Sequence, residues 1–234
     1  MSKHESYKND CINRKKLLVK DEYVEIFNLL KKALLAGNKE LFYTIVEKNL
    51  NIFNNDIFVF IEQLINPLMY EVGYMWQYNQ ISVAKEHLAT TLTHDIIDKF
   101  FLNNIKDETQ KPLVLISTIG EESHNLGVKI VGEFLVSKKF DVKNLGSKIS
   151  NKELISSVYE LKPELLILSV TLISNLEKLQ KIIKELNSDK NVFKGYIIVG
   201  GQALFKDDKP INIEGVDCIC KDLKTLDNFL NKVF

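Results

Sequence analysis

From Pro112 onward, short apolar runs alternate with amphipathic segments, and this pattern constrains the fold more than any other feature of the chain. The run Glu164 to Val170 (ELLILSV) is almost continuously apolar, so a strand made from it must be covered on both faces. Pro112 to Ile119, Phe140 to Leu145, Tyr196 to Val199 and Asp217 to Cys220 read as further strands. Gly127 to Lys138, Lys152 to Leu161, Asn175 to Leu186 and Leu223 to Val233 read as the helices between and after them. Alternation of this kind specifies a parallel sheet of five strands packed between helices. In such a sheet, ligands bind at the carboxyl ends of the strands, near the point where strand order reverses.

The first half has a different period. Tyr23, Ile26, Phe27, Leu30, Ala33 and Leu34 recur at spacings of three and four, and Gly37-Asn38 closes that helix. Leu41 to Leu50 predicts a second helix. Asn54 or Asn55 is expected to start a third, running to about Trp76 with Phe58, Ile61, Leu64, Ile65 and Met69 on its apolar face. Ser82 is the expected cap of a fourth, which buries Val83, Leu88, Leu92, Ile96 and Phe100. The expected organisation is a polar, flexible tail (1–20), a four-helix bundle (21–104), a polar linker (105–111) and the α/β domain (112–234).

Charge narrows the function classes. The 31 basic and 31 acidic residues balance, which gives no bulk attraction to nucleic acid or to an anionic membrane. No apolar run is long enough to span a bilayer, and the first residues lack a signal-peptide core. The expected compartment is cytoplasmic. Cys218-Ile219-Cys220 aims two thiols at one face of a strand; with Cys11, these are expected to be reduced packing residues.

His124 stands in Glu122-Ser123-His124-Asn125-Leu126-Gly127. Forty-one residues separate Gly127 from Ser169-Val170-Thr171, and 28 separate Thr171 from Gly200-Gly201. All three segments fall on the same edge of the expected sheet. The set resembles the cobalamin-binding domain of the base-off, histidine-on type, with its Asp-x-His-x-x-Gly, Ser-x-Leu and Gly-Gly segments at these spacings. Here Glu122 replaces Asp and Thr171 replaces Leu. The resemblance implies a flavodoxin-like (Rossmann-like) domain with His124 as the lower cobalt ligand and Glu122 holding its other ring nitrogen. Gly127 would let the macrocycle approach. Ser169, Thr171, Gly200 and Gly201 would line the path of the displaced dimethylbenzimidazole tail. Taken alone, the hexapeptide reads rather as a surface loop histidine capping the following helix, and Gly-Gly as an ordinary turn.

The helical half carries a second resemblance. Trp76, nine residues, then Glu86-His87 is similar to the Trp-x9-Glu-His signature of cobalamin-dependent photoreceptors, light-responsive transcriptional regulators. Ile65-Asn66-Pro67-Leu68 and Leu88-Ala89-Thr90 fit the same pattern, and the likeness extends over about residues 55–234. It implies a bundle that caps the upper face of adenosylcobalamin, with Trp76 beside the adenosyl group, Glu86 on the ribose and His87 close by. Without the corrinoid signals, Trp76 would be read as core and Glu86-His87 as helix surface. The chain departs from that family at Gln77, where its members have a histidine that captures cobalt after illumination. His94, on a similar helix face, is expected to be structural.

The amino-terminal tail is too short for a winged helix-turn-helix, so no direct DNA contact is expected, and a signal would pass to a protein partner or through self-association. The leading expectation is a non-enzymatic adenosylcobalamin photosensor or cobalamin sensor involved in regulation. The alternatives are a corrinoid carrier of a methyltransferase system, working with methylcobalamin, and a haem- or bilin-binding sensor on the same fold. A radical mutase would need a substrate barrel for which the chain has no segment.

Overall fold

The computed structural model describes residues 19–101, 112–188, 193–206 and 209–234. The chain divides into two compact units, Met1–Asn103 and Asn104–Phe234. The expected tail up to residue 18, with His4 and Cys11, lies outside the described residues, as does the expected linker.

In the helical unit a 3-10 turn, Asp21–Tyr23, leads into α1 (Val24–Leu35), which buries Phe27, Leu30, Ala33 and Leu34. Gly37 takes φ +68 where the chain reverses, and the Asn38 side chain caps α2 (Lys39–Asn49) by accepting from Leu41 N at 3.0 Å. The next helix starts later than expected. Asn54 and Asn55 are both left-handed, at φ 55 and 58, so neither can cap it. Asp56 does so instead, its carboxylate accepting from Phe58 N at 2.8 Å and Val59 N at 3.2 Å.

The helix that follows has three parts: α3 (Ile57–Phe60), a π turn (Ile61–Ile65) and α4 (Asn66–Gln77). Pro67 accounts for the break in period. It has no amide hydrogen and its ring crowds the carbonyl four residues back. The wider turn, in which Asn66 N–H donates to Ile61 O, absorbs that mismatch.

Helix α5 (Val83–Phe101) is capped by Ser82, whose Oγ accepts from Lys85 N at 3.3 Å. Its buried residues are Ala89, Leu92, Thr93, Ile96, Ile97 and Phe101. Val83 and Leu88, expected in the core, are 51% and 45% exposed, and Phe100 is only half-buried. Burial within the unit begins one and a half turns into the helix, so the apolar side chains before that point are surface. Periodicity alone gives no sign of where a packing partner stops.

The second unit is a five-stranded parallel sheet in the order β2-β1-β3-β4-β7. The strands are β1 (Leu113–Thr118), β2 (Asp141–Gly146), β3 (Leu165–Ser169), β4 (Tyr196–Gly200) and β7 (Cys218–Cys220). The helices are α6 (Leu126–Ser137), α7 (Asn151–Leu161), α8 (Leu176–Ser188) and α9 (Leu223–Val233). Leu115, Leu166 and Ile197 are register partners on one face, and with Leu168, Val170 and Val199 they form a core against Leu154, Val158, Leu179 and Ile183 of α7 and α8. The opposite face carries α9, where Phe229 meets Tyr196 edge to face at 5.6 Å. A capping box at Ser150 and Glu153 starts α7, and Asp222 caps α9 through Thr225 N at 2.7 Å.

The fold class is therefore helices followed by a flavodoxin-like parallel sheet, with the reversal of strand order between β1 and β3. A small antiparallel ribbon, β5 (Phe205–Lys206) with β6 (Lys209–Pro210), was not anticipated. Among the described residues, no helix is long and apolar enough to cross a membrane.

Candidate functional site

Strand register sets out the site in the sheet unit. Thr118 pairs with Ser169, Ser169 with Gly200, and Gly200 with Cys220, which makes one row across the carboxyl edge. Residues paired in register share a face, so this row lies on the side opposite the Leu115–Leu166–Ile197 core. Ser169 is the last residue of β3 and Gly200 the last of β4, so both belong to the sheet and only Thr171 and Gly201 lie beyond it.

The loop between β1 and α6 brings Glu122 and His124 to this edge. Gly120 begins it at φ +74, with Asn175 Oδ1 only 2.6 Å from where a Cβ would stand, so the buried Asn175 fills the space a side chain would need. The Glu122 side chain is completely buried. Its Oε1 accepts from Thr171 N at 3.1 Å. Its Oε2 lies 3.3 Å from His124 Nδ1, an ion-pair distance, but makes no hydrogen bond among the described residues. The His124 side chain is half exposed, at 52%. A Cβ on Gly127 would sit 3.8 Å from Ser169 Oγ, so the first turn of α6 lies against the end of β3. Gly201 has φ +109, and a Cβ there would be 2.3 Å from Val170 O, so backbone passes backbone with no room for a side chain.

A buried carboxylate with one oxygen anchored and the other bare beside Nδ1 suits a histidine that ligates through Nε2. Imidazole suits cobalt as a borderline donor. The bare Glu122 Oε2 beside a half-exposed imidazole thus fits a histidine that holds a cobalt macrocycle. The loop, β3 and β4 bring together Glu122, His124, Gly127, Ser169, Thr171, Gly200 and Gly201. Thr171 enters through its backbone amide, a contact the residue type did not announce.

Trp76, Glu86 and His87 belong to the helical unit. Trp76 lies in the last turn of α4 and is 42% exposed, which sets it apart from a core tryptophan. A tight connection follows, in which Gln80 N donates to Met75 O at 2.7 Å and Asn79 is left-handed at φ 56. Tyr78, Val83 and Leu88 are also exposed on this rim. Glu86 Oε1 accepts from Thr90 Oγ1 at 2.9 Å, and its Oε2 is 3.6 Å from His87 Nε2. His87 is mostly exposed, Gln77 is exposed and His94 is half-buried.

The two thiols of β7 share a face as expected, with Sγ atoms 3.6 Å apart. Burial first, and then Cys218 and Asp222, push the Cys220 thiol far above its ordinary range. Sequence reasoning overlooked Thr118. It ends an apolar strand and is buried, yet its Oγ1 has no hydrogen-bond partner among the described residues. Strand register puts it beside Ser169.

Residues 112–222 match a family model described as a B12 binding domain, and residues 26–99 match a second one with the same description. The structure of the monomethylamine corrinoid protein of Methanosarcina barkeri is similar over 91% of this chain and 100% of that one, with 16% identity and a TM-score of 0.72. A cobalamin-binding protein from Desulfitobacterium hafniense DCB-2 matches over 89% of this chain and 98% of its own, at 18% identity and a TM-score of 0.46. The methanol:cobalamin methyltransferase complex of Methanosarcina barkeri matches over 82% and 73%, at 18% identity and a TM-score of 0.39. The first of these establishes the shared fold. No curated protein matches the chain.

Proposed function

We propose, from a B12 binding domain matched in each unit, that the chain is a sensor that binds cobalamin base-off with His124 as the lower ligand. The observation that carries the lower-ligand reading is the buried Glu122, tied to Thr171 N and approaching His124 Nδ1 at 3.3 Å. With the cofactor bound, Glu122 Oε2 would orient the ring and accept a hydrogen bond from Nδ1, which leaves Nε2 as the donor to the metal. Gly127, Ser169, Thr171, Gly200 and Gly201 are the proposed lining for the rest of the cofactor.

The sensor reading rests on the helical rim. An exposed indole at the end of α4, with Glu86 and His87 early in α5, suits an adenosyl group better than a methyl group. Bound cobalamin supplies a light-labile cobalt–carbon bond. Trp76 would shelter the adenosyl side and Glu86 would accept from ribose hydroxyls. Loss of those contacts would bias the protein between two states read by a protein partner or by self-association.

A second reading has an observation of its own. The fold likeness to a corrinoid protein spans both units of this chain, which supports a methyl carrier serving partner methyltransferases. Spectra of protein loaded with adenosylcobalamin, taken in the dark and under green light beside His124→Ala, separate these readings. The sensor is supported by a base-off spectrum that needs His124 and by a light-dependent change in spectrum and elution volume. Identical dark and lit behaviour, together with methyl transfer from methylcobalamin to a thiol, would establish the carrier. A base-off spectrum that survives His124→Ala would sink the ligand assignment.

A further inference from the structure

We propose that Cys218 and Cys220 form a chelating site for one soft metal cation, of the copper(I) class, on the edge strand β7. The site goes beyond the cobalamin reading and does not depend on it. Ile219, between the two, packs towards the core shared with α7 and α8, so strand alternation turns both thiols to the other face. β7 has a neighbouring strand on one side only, β4, and both cysteines are half-buried. Unpaired cysteine is among the residues most often fully buried, so packing is a poor account of two free thiols left partly open at a sheet edge.

The distance between the sulfurs decides what they can hold. The two Sγ atoms are 3.6 Å apart. Two metal–thiolate bonds of about 2.3 Å span that gap at an S–metal–S angle of about 100°, with no movement of the strand. A disulfide fits less well. It needs Cβ atoms about 3.5–4.5 Å apart, whereas alternate residues of one strand are separated by roughly 6.5 Å. Among the described residues, no group of three or more His, Cys, Asp or Glu side chains could hold a metal. An ion that requires four protein ligands, as structural zinc does, is therefore not served. Copper(I) is, because it favours thiolates and is satisfied by two of them with a small thiol from solution.

Charge points the same way. Burial does most to keep the Cys220 thiol protonated, followed by Cys218 and then Asp222. Burial opposes any charge, but the two neighbours oppose only a negative one. A cation set between the sulfurs is attracted to both neighbours. On binding, two S–H bonds break, two S–Cu bonds form and two protons leave to solvent, with no electron transferred. Asp222 remains the α9 cap, its Oδ1 accepting from Thr225 N at 2.7 Å and from Thr225 Oγ1 at 2.6 Å, and it acts on the ion by charge rather than as a ligand.

The test titrates copper(I) into the full reduced chain against a colorimetric chelator, and counts by mass spectrometry the thiols still open to alkylation. One ion per chain is expected, with Cys218 and Cys220 protected and Cys11 alkylated. Cys11→Ser should bind like wild type. Cys218→Ala and Cys220→Ala should each weaken binding by about 100-fold or more, since a lone thiolate loses the effective concentration of its neighbour. The protection pattern of wild type decides the matter even where a variant fails to fold. Wild-type affinity in either alanine variant would overturn the chelate, and so would one ion shared by two chains, protection of Cys11 alone, or no uptake. A Cys218–Cys220 disulfide, seen as the loss of two hydrogens with no ion bound, would assign the pair to redox chemistry and overturn the metal site.

Discussion

The amide of Thr171 donates to Glu122 Oε1 across 3.1 Å, joining residues 49 positions apart. The carboxylate of the β1–α6 loop is thereby held by the chain just beyond β3, with its other oxygen directed to His124. The orientation of His124 depends on the sheet's carboxyl edge as much as on the loop that carries it.

That relationship predicts graded effects at Glu122. Glu122→Gln keeps an acceptor for Thr171 N but removes the charge beside Nδ1, so cobalamin affinity should fall by about 10- to 100-fold, as for other residues that support a metal-bound histidine. Glu122→Ala should lose at least as much and also leave Thr171 N unpaired. Titrations followed by absorbance check both; wild-type affinity in Glu122→Gln would show that His124 is not held this way.

Two glycines should respond in opposite directions. Gly201→Ala puts a Cβ against Val170 O at a positive φ, and should destabilise the sheet unit by well over about 1 kcal/mol. Gly73, inside α4, has nothing within 4 Å of its missing Cβ. Gly73→Ala should stabilise the helical unit by about 0.5–1 kcal/mol. Denaturant unfolding of both variants measures the contrast.

Trp76→Ala should separate binding from folding. The indole is 42% exposed, so its removal should cost far less than the roughly 3–5 kcal/mol of a buried aromatic. Stacking on an adenine is worth about 1–3 kcal/mol, so adenosylcobalamin binding should weaken about 10-fold while methylcobalamin binding stays near wild type. Equal losses for the two cofactors would remove the adenosyl role.

Alkali should weaken the sheet unit through Cys220. Its folded-state pKa is raised above the ordinary value of 9.0, mainly by burial. A group raised in this way contributes its full stability below the unfolded value and loses it as pH climbs towards the folded one. Unfolding free energy should therefore fall with pH above about 9, and Cys220→Ser should show a shallower fall. Parallel pH curves for the two proteins would refute the effect.

The strands were legible because ELLILSV and its neighbours leave little alternative to a doubly covered sheet, and α9 was legible in the spacing of Leu223, Leu226 and Leu230. Caps were harder. Asn54, Asn55 and Asp56 are all good capping residues, and only the left-handed backbone of the first two decides for Asp56. Val83 and Leu88 continue an apolar stripe past the point where the unit packs against it. At the site, His124 and its spacing to Ser169 and Gly200 were visible in the sequence. The Thr171 amide and the Thr118 hydroxyl were not, because a backbone donor has no residue type and a strand-end threonine looks like any other.

The π turn ahead of Pro67 acts at a distance. It adds one residue to a helix that continues to Gln77, and each added residue rotates everything after it by about 100° about the axis. The side of the bundle to which Trp76 belongs is therefore set more than ten residues upstream, by a proline that need touch no cofactor. Loss of a single residue between Ile61 and Ile65 would leave the rim's composition intact while turning its indole to a different compass bearing.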